Sequence, residues 1–248
     1  MQTPLYLSVI IPAYNEDSRI EKTLRIVDAY LKRQPFSSEI LVVVDGASDN
    51  TARIVGGLKS EIINLRLIDR KENHGKGYTV REGMLAAEGK IRLFADADNS
   101  TDISHFDKMR PVFDKGYEVV ICSRDAKDAP GATQAVPQSF LKRQLGNMGN
   151  LFIQLMAVRG IWDTQCGFKA FRADAAEKIF SQSRIDRWGF DIEVLALARV
   201  MGFKIGIVPA NWINDPHSHV KLSGYLQVLW ETTKIWWWLR RGAYQLLK

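Results

Sequence analysis

The sequence predicts an α/β fold, a mostly parallel sheet flanked by helices, and three observations lead there. Short β-branched runs alternate with segments whose apolar residues recur at helical spacing through the first half of the chain. Each run stops at a polar cluster: Tyr14-Asn15-Glu16, Asp45-Gly46-Ala47-Ser48-Asp49, Asn73-His74-Gly75-Lys76-Gly77 and Asp96-Ala97-Asp98. Hydrophobic residues make up 46% and charged residues 25% of the 248, enough apolar surface for a sizeable core. Right-handed crossovers between parallel strands would bring all four clusters to one rim of the sheet.

The elements follow in order. Leu7 to Ile11 reads as a buried strand ended by Pro12, and Asn15 to Ser18 starts a helix whose apolar face is Ile20, Leu24, Val27 and Leu31. Glu39 to Val44 is the second strand, closed by Asp45-Gly46, and Asp49-Asn50-Thr51 caps the next helix. Ile62 to Ile68 is the third strand, Gly75 to Ala87 a helix and Ile91 to Ala95 the fourth strand. The second half is less regular. Tyr117 to Cys122 reads as a strand, and Asp125 to Pro137, without periodicity, as a mobile loop placed like a lid. Helices are expected over Phe140–Val158, Ala173–Phe180 and Asp191–Met201, with strands over Gly167–Arg172 and Lys204–Val208. Residues 222–248 form a separate unit, an amphipathic aromatic helix carrying Tyr225, Trp230, Trp236, Trp237, Trp238 and Tyr244 among Lys234, Arg240, Arg241 and Lys248. Aromatic rings interleaved with cations suit a helix lying in a membrane interface, or one packed on the core or on a second subunit.

Composition and absent motifs exclude several classes. The net charge of +6 favours anionic partners mildly, but the basic residues are dispersed and form no nucleic-acid-binding module. Two cysteines, Cys122 and Cys166, lie far apart with no metal-ligand spacing, which fits a reduced, cytoplasmic setting. The N-terminal residues show no signal-peptide pattern, and no apolar run reaches the ~20 residues of a spanning helix, so membrane contact is expected to be peripheral. Neither G-x-G-x-x-G after the first strand, nor G-x-x-x-x-G-K-[ST], nor G-x-S-x-G occurs. A dinucleotide oxidoreductase, a P-loop NTPase and an α/β-hydrolase are thereby disfavoured.

What is present suits a nucleoside diphosphate. Residues i and i+2 of an extended chain point to one side, so Asp96 and Asp98 are expected to aim their carboxylates at one place. Like charges there call for a cation or a proton between them. Mg²⁺ or Mn²⁺, bound through oxygen, would bridge the diphosphate and stabilise it as it departs. The plainer alternative is that one carboxylate caps the next helix and the other is solvated. Asp45 is placed to accept from a base N–H or a ribose hydroxyl, Tyr14 to pack on the base and Glu16 to hold a ribose hydroxyl. Their plainer roles are a turn residue, a packed loop aromatic and a first-turn helix acid.

Taken together, Pro12-Ala13-Tyr14-Asn15-Glu16, Val44-Asp45-Gly46-Ala47-Ser48-Asp49-Asn50-Thr51, Gly75-Lys76-Gly77 and Ala95-Asp96-Ala97-Asp98 resemble family 2 glycosyltransferases with the GT-A fold. Asp163-Thr164-Gln165-Cys166-Gly167-Phe168-Lys169 and Arg187-Trp188-Gly189-Phe190-Asp191-Ile192-Glu193 resemble the dolichyl-phosphate glucosyl- and mannosyltransferase branch, over nearly the whole chain. That resemblance implies transfer of glucose or mannose from UDP-glucose or GDP-mannose to a polyprenyl phosphate at the cytoplasmic membrane face, with inversion. Pro12, Tyr14, Glu16, Asp45, Lys76 and Asp96 would then hold the donor. Asp98 would be the firmer metal ligand and Asp96 the second, with Ser100 a weaker candidate. Arg124, Arg143 and Lys221 would contact phosphates, as the bidentate geometry of arginine favours, unless they are solvated surface charges. Asp191 and Glu193 would orient sugar or acceptor, although Asp191 equally suits a helix cap. A lipid phosphate is already ionised near neutral pH and needs no strong base, whereas a saccharide or soluble acceptor would need one, with Asp191 the candidate. A nucleotide-sugar-binding protein without catalysis is the remaining alternative.

Overall fold

A computed structural model describes residues 4–134, 140–212 and 222–245, without the side chains of 134, 140–147, 222 and 223. The nine strands among the described residues are β1 (Leu7–Ala13), β2 (Ser38–Asp45), β3 (Leu65–Arg70), β4 (Ile91–Ala95), β5 (Val119–Ser123), β6 (Thr133–Gln134), β7 (Phe168–Arg172), β8 (Ile205–Pro209) and β9 (Asn211–Trp212). The eight α-helices among the same residues are α1 (Ile20–Leu31), α2 (Thr51–Leu58), α3 (Lys76–Ala86), α4 (Phe106–Asp114), α5 (Phe140–Met156), α6 (Ala173–Phe180), α7 (Phe190–Val200) and α8 (Leu222–Arg240). Seven strands form one sheet in the order β3-β2-β1-β4-β7-β5-β8, and β6 pairs with β9 apart from it. β1, β2, β3 and β4 are mutually parallel, and β5 runs parallel to β8. β7 enters antiparallel to both β4 and β5.

The strands are apolar on both faces because helices cover both. Leu7, Val9 and Ile11 of β1 meet α1, α2 and α4 in one core, while Ile10 points to the other, with α3, α6, α7 and α8. Tyr30 Oη of α1 donates to Asp107 Oδ1 of α4 at 2.8 Å, joining two helices of the first layer.

Several expectations change here. β1 continues through Pro12 to Ala13, and β3 begins at Leu65, after a turn that includes Ile62. α4 was not anticipated: Pro111 inside it and a preceding single turn of 3-10 helix (Ile103–His105) hide its periodicity. The stretch after β5 is tethered rather than free. Asp128 accepts Trp162 N and Asp163 N, each at 2.8 Å, and Ser123 Oγ at 2.8 Å, while Thr133 and Gln134 pair with β9. The lid expected over Asp125 to Pro137 is thus not seen up to Gln134, and its last residues lie outside the described ones.

Candidate active site

The sheet itself makes the crevice. β1 pairs with β2 as far as Ala13↔Val44, but with β4 only to Ile10↔Phe94. Chain order reverses between these neighbours, and ligands of open α/β sheets bind beyond the carboxyl ends of strands at such a switch. Pro12, with no N–H to give, lies in the part of β1 that β4 no longer borders.

Loops after β1 and β2 are stitched together on one side of the crevice. Asn15, at a φ of 55°, turns the chain and accepts Ser48 N through Oδ1 at 2.9 Å. Asp49 accepts Asp17 N at 3.0 Å and Thr51 N at 2.9 Å, and Thr51 Oγ1 accepts Glu16 N at 2.8 Å. Tyr14 stands half exposed above this seam. The Glu16 carboxylate is held by the Arg19 guanidinium, with Nη2 donating to Oε1 at 3.0 Å. Asp45 is buried, and both its oxygens are engaged: Oδ1 accepts Arg70 Nη2 at 2.5 Å and His74 N at 2.9 Å, and Oδ2 accepts Gly75 N at 2.8 Å. Rather than standing free for a base or a ribose, Asp45 fastens the loop that carries Lys76 into α3.

Beyond β4 the chain does not stay extended. Asn99 N donates to Asp96 O at 3.3 Å, with Asn99 at a φ of 52°, so Asp96 to Asn99 is a turn and the expected same-side geometry does not apply. The two carboxylates take different partners. Lys76 Nζ lies 2.6 Å from Asp96 Oδ1, while Asp98 Oδ1 accepts Ser100 N at 2.9 Å. Asp96 also lies against Gly167, where an added Cβ would come within 2.0 Å of Asp96 Oδ2, so a larger residue there would displace the carboxylate. Burial pushes the Lys76 ammonium down, but Asp96, Asp191 and Asp98 outweigh it and hold the pKa above its ordinary value.

Asp191 joins this group from the first turn of α7. It is buried, and Oδ1 accepts Lys169 Nζ at 2.5 Å; the fully buried Lys169 also donates to Cys166 O at 2.6 Å. Burial raises the Asp191 pKa despite Lys169 and Lys76. The helix cap is Gly189, so Asp191 is not the cap it resembled. Glu193 faces away from the site and serves structure: it accepts Arg184 N, Ile185 N at 2.9 Å and Tyr244 Oη at 2.8 Å.

Arg124 follows β5. Its Nε donates to Asp163 Oδ2 at 2.7 Å and Nη2 to Asp163 Oδ1 at 2.8 Å, and its guanidinium lies 5.3 Å from the Trp212 ring centre. Burial disfavours this charge, yet Asp163 more than compensates and raises the pKa, and Asp96 adds to the effect. Asp163 occupies one edge of the fork, and Nη1 hydrogen-bonds to no described residue. The side chain of Arg143, on α5, and the whole of Lys221 lie outside the described residues.

Oxygen donors for a hard cation exist at the turn. Ser100 Oγ is buried without a hydrogen bond, Asp96 Oδ1 has Lys76 Nζ beside it, and Asp98 lies between the two residues in sequence. Among the described residues no three His, Cys, Asp or Glu side chains converge as a ready metal cluster.

Residues 8–180 match the family model described as Glycosyl transferase family 2. This chain belongs to that family. Its relatives include the dolichyl-phosphate beta-glucosyltransferase of Dictyostelium discoideum, 36% identical over 84% of this chain and 66% of that protein. A dolichyl-phosphate beta-glucosyltransferase of Trichomonas vaginalis is 34% identical over 97% of this chain and 73% of its own length. Among solved structures, the glucosyl-3-phosphoglycerate synthase of Mycobacterium tuberculosis in complex with UDP superposes with a TM-score of 0.68 at 17% identity, covering 94% of this chain and 80% of that one. These folds are GT-A, and the family 2 chain described here shares that architecture, mixed sheet included.

Residues that sequence reasoning passed over complete the site of this family 2 protein. Lys169 is the counter-ion of Asp191, and Asp163 the clamp on Arg124. A lone lysine within the apolar run Phe168-Lys169-Ala170-Phe171 was a readable signal, since a buried charge needs a partner. Trp188, whose ring centre is 5.9 Å from Lys76 Nζ, carried no comparable signal.

Proposed function

We propose that this family 2 glycosyltransferase moves glucose from UDP-glucose to a dolichyl-type polyprenyl phosphate, with inversion at the anomeric carbon, at the cytoplasmic face of a membrane. One observation carries the proposal. Asp191 is tied to Lys169, while the open edge of Arg124 shares an electrostatic neighbourhood with Asp96. A saccharide acceptor needs a free general base there, whereas an ionised phosphate needs a cation to hold it. Arg124 would hold the acceptor phosphate, joined by Arg143 and Lys221. Lys76 would contact the donor next to Asp96, and Tyr14, Glu16 and Pro12 would line the nucleoside side. Asp45 would act by fixing the Asn73-to-Lys76 loop.

Glucose is favoured over mannose by the names of the relatives, and the uridine nucleotide by the UDP complex of the structural neighbour. The same synthase has been crystallised with Mn²⁺ and UDP, at a TM-score of 0.65. Asp98, Asp96 and Ser100 would hold Mg²⁺ or Mn²⁺ in this chain. The cation, when bound, neutralises diphosphate charge as UDP leaves. Residues 1–221 would form the catalytic domain. No described helix is long and apolar enough to cross a membrane; the exposed aromatic side chains of α8 support contact of residues 222–248 with the interface.

The test is transfer of label from UDP-glucose and from GDP-mannose to dolichyl phosphate, with and without divalent cation. Labelled lipid is expected from UDP-glucose alone. Asp98→Ala should lower that transfer by about 10²–10³-fold with melting nearly unchanged, since its side chain holds only the Ser100 turn. Full activity of Asp98→Ala, or label appearing only on a soluble acceptor, sinks the proposal.

A further inference from the structure

The outer surface of α8 breaks the ordinary rule for a helix that covers a core. Val228, Thr232 and Ile235 are buried against the body, yet the opposite stripe, Leu226, Trp230 and Trp237, is apolar as well and exposed, Trp230 by 61%. α5 packs against α8 and repeats the pattern: Met148, Leu151 and Leu155 share one exposed stripe, Leu155 at 72%. Such neighbouring stripes of large apolar side chains mark an interaction surface.

The charged side chains described beside its aromatic rings are cations. Lys234 lies 5.7 Å from the Trp230 ring centre, Arg240 4.4 Å from Trp236 and Arg241 4.7 Å from Trp237. Where the end of α5 meets the end of α7, a shallow cavity of about 380 Å³ is lined by Gln154, Leu155, Arg159 and Arg199, among others, with no carboxylate. Leu155 belongs both to this cavity and to the α5 stripe. Arg159 and Arg199 are both exposed, and neither makes an ion pair or side-chain hydrogen bond with a described residue. Gln154 Nε2 in the same cavity is buried without a partner. Unpaired donors from three side chains, with no competing acid, fit an anionic phosphate group.

We infer that the outer faces of α5 and α8 dock on an anionic lipid bilayer, and that the Gln154–Arg159–Arg199 cavity receives a lipid phosphate head group. A second copy of the chain fits worse, because a two-fold contact would set these cations against each other. The inference rests on the membrane contact proposed for α8 and adds a specific lipid site to it. The head group here is a structural anchor, separate from the acceptor phosphate at Arg124.

Vesicle co-sedimentation of the full chain tests this without donor or acceptor. Phosphatidylcholine vesicles, with and without about 30% phosphatidylglycerol and lacking polyprenyl phosphate, are the probe. Binding is expected only with the anionic lipid. Arg159→Glu/Arg199→Glu should weaken it by roughly thirtyfold and Trp230→Ser/Trp237→Ser at least as much, with circular-dichroism melting confirming the fold. If the unaltered protein ignores both vesicles, the membrane contact of α8 fails and this site with it. Tight binding by the unaltered protein and equally by the double arginine variant overturns the head-group site alone. A stable dimer in solution that buries the stripes overturns the docking surface.

Discussion

At the rim after β1 to β4, Asp45, Asp49 and Asp98 are held chiefly by backbone N–H groups, although Glu16 and Asp96 take Arg19 and Lys76; around β5, β7 and α7, Asp163 and Asp191 are held by side-chain cations. Asp49 and Asp98 accept from N–H groups two residues on, and Asp45 accepts from His74 N and Gly75 N. Asp163 and Asp191, by contrast, are matched to Arg124 and Lys169. Hydrogen bonds spread over several donors tolerate the loss of one, whereas a buried ion pair fails as a unit. The proposed donor side is thus a set of redundant turns, and the proposed acceptor side a pair of charge clamps.

The largest expected effect tests that contrast directly. Lys169→Met leaves Asp191 buried without its cation and should lower unfolding free energy by about 3–5 kcal/mol. Asp45→Asn keeps an acceptor oxygen for one of the two loop N–H groups and sets its NH2 against the other, while Arg70 retains Glu82 at 3.0 Å, so its loss should be nearer ~2 kcal/mol. Urea unfolding of both variants measures the difference. Equal losses would mean the two halves are held alike.

The same contrast governs what the sequence disclosed. The strands and helices up to Ala95 were readable because period and turn chemistry are local: Asp49 and Asp98 sit in self-contained turns of the kind their residue type favours. Boundaries moved where Pro12 and Ile62 misled. The antiparallel entry of β7 depends on contacts between distant segments, Phe94↔Lys169 among them, and no local pattern announces it. Site residues followed suit. Asp96, Lys76 and Asp191 were found by motif, and the structure gathers them. Their partners Lys169 and Asp163 were missed as partners, because an ion pair joining residues 39 apart, as Arg124 and Asp163 do, leaves no periodic trace.

A middle-sized effect should appear as pH dependence. Burial opposes ionisation of Asp163, but Arg124 outweighs it and holds the carboxyl below its ordinary value. With the folded pKa depressed, the stabilisation is fully present above the unfolded value of about 4 and is lost as pH falls through the folded one. Asp163→Asn should therefore cost about 2 kcal/mol at neutral pH, and its melting temperature should converge on that of the unaltered protein in acid. Melting curves that stay parallel across this range would show that the clamp is not electrostatic.

The smallest effect joins the two halves to the outer surface. Glu231 of α8 is buried and accepts Gly189 N at 2.7 Å, while its other oxygen accepts Gln227 Nε2 at 3.0 Å. Gly189 caps α7, two residues before Asp191, and follows Trp188 beside Lys76. A helix bearing exposed aromatics is thus bonded to the backbone that presents Asp191. Glu231→Ala should leave Gly189 N unsatisfied, at about 1 kcal/mol, and speed hydrogen exchange at that amide. Glu231→Gln retains an acceptor oxygen and should restore most of the protection. Were Glu231→Ala to leave exchange at Gly189 unchanged, α8 would be attached to the body by apolar packing alone, and an event at its outer face would have no polar route to the site.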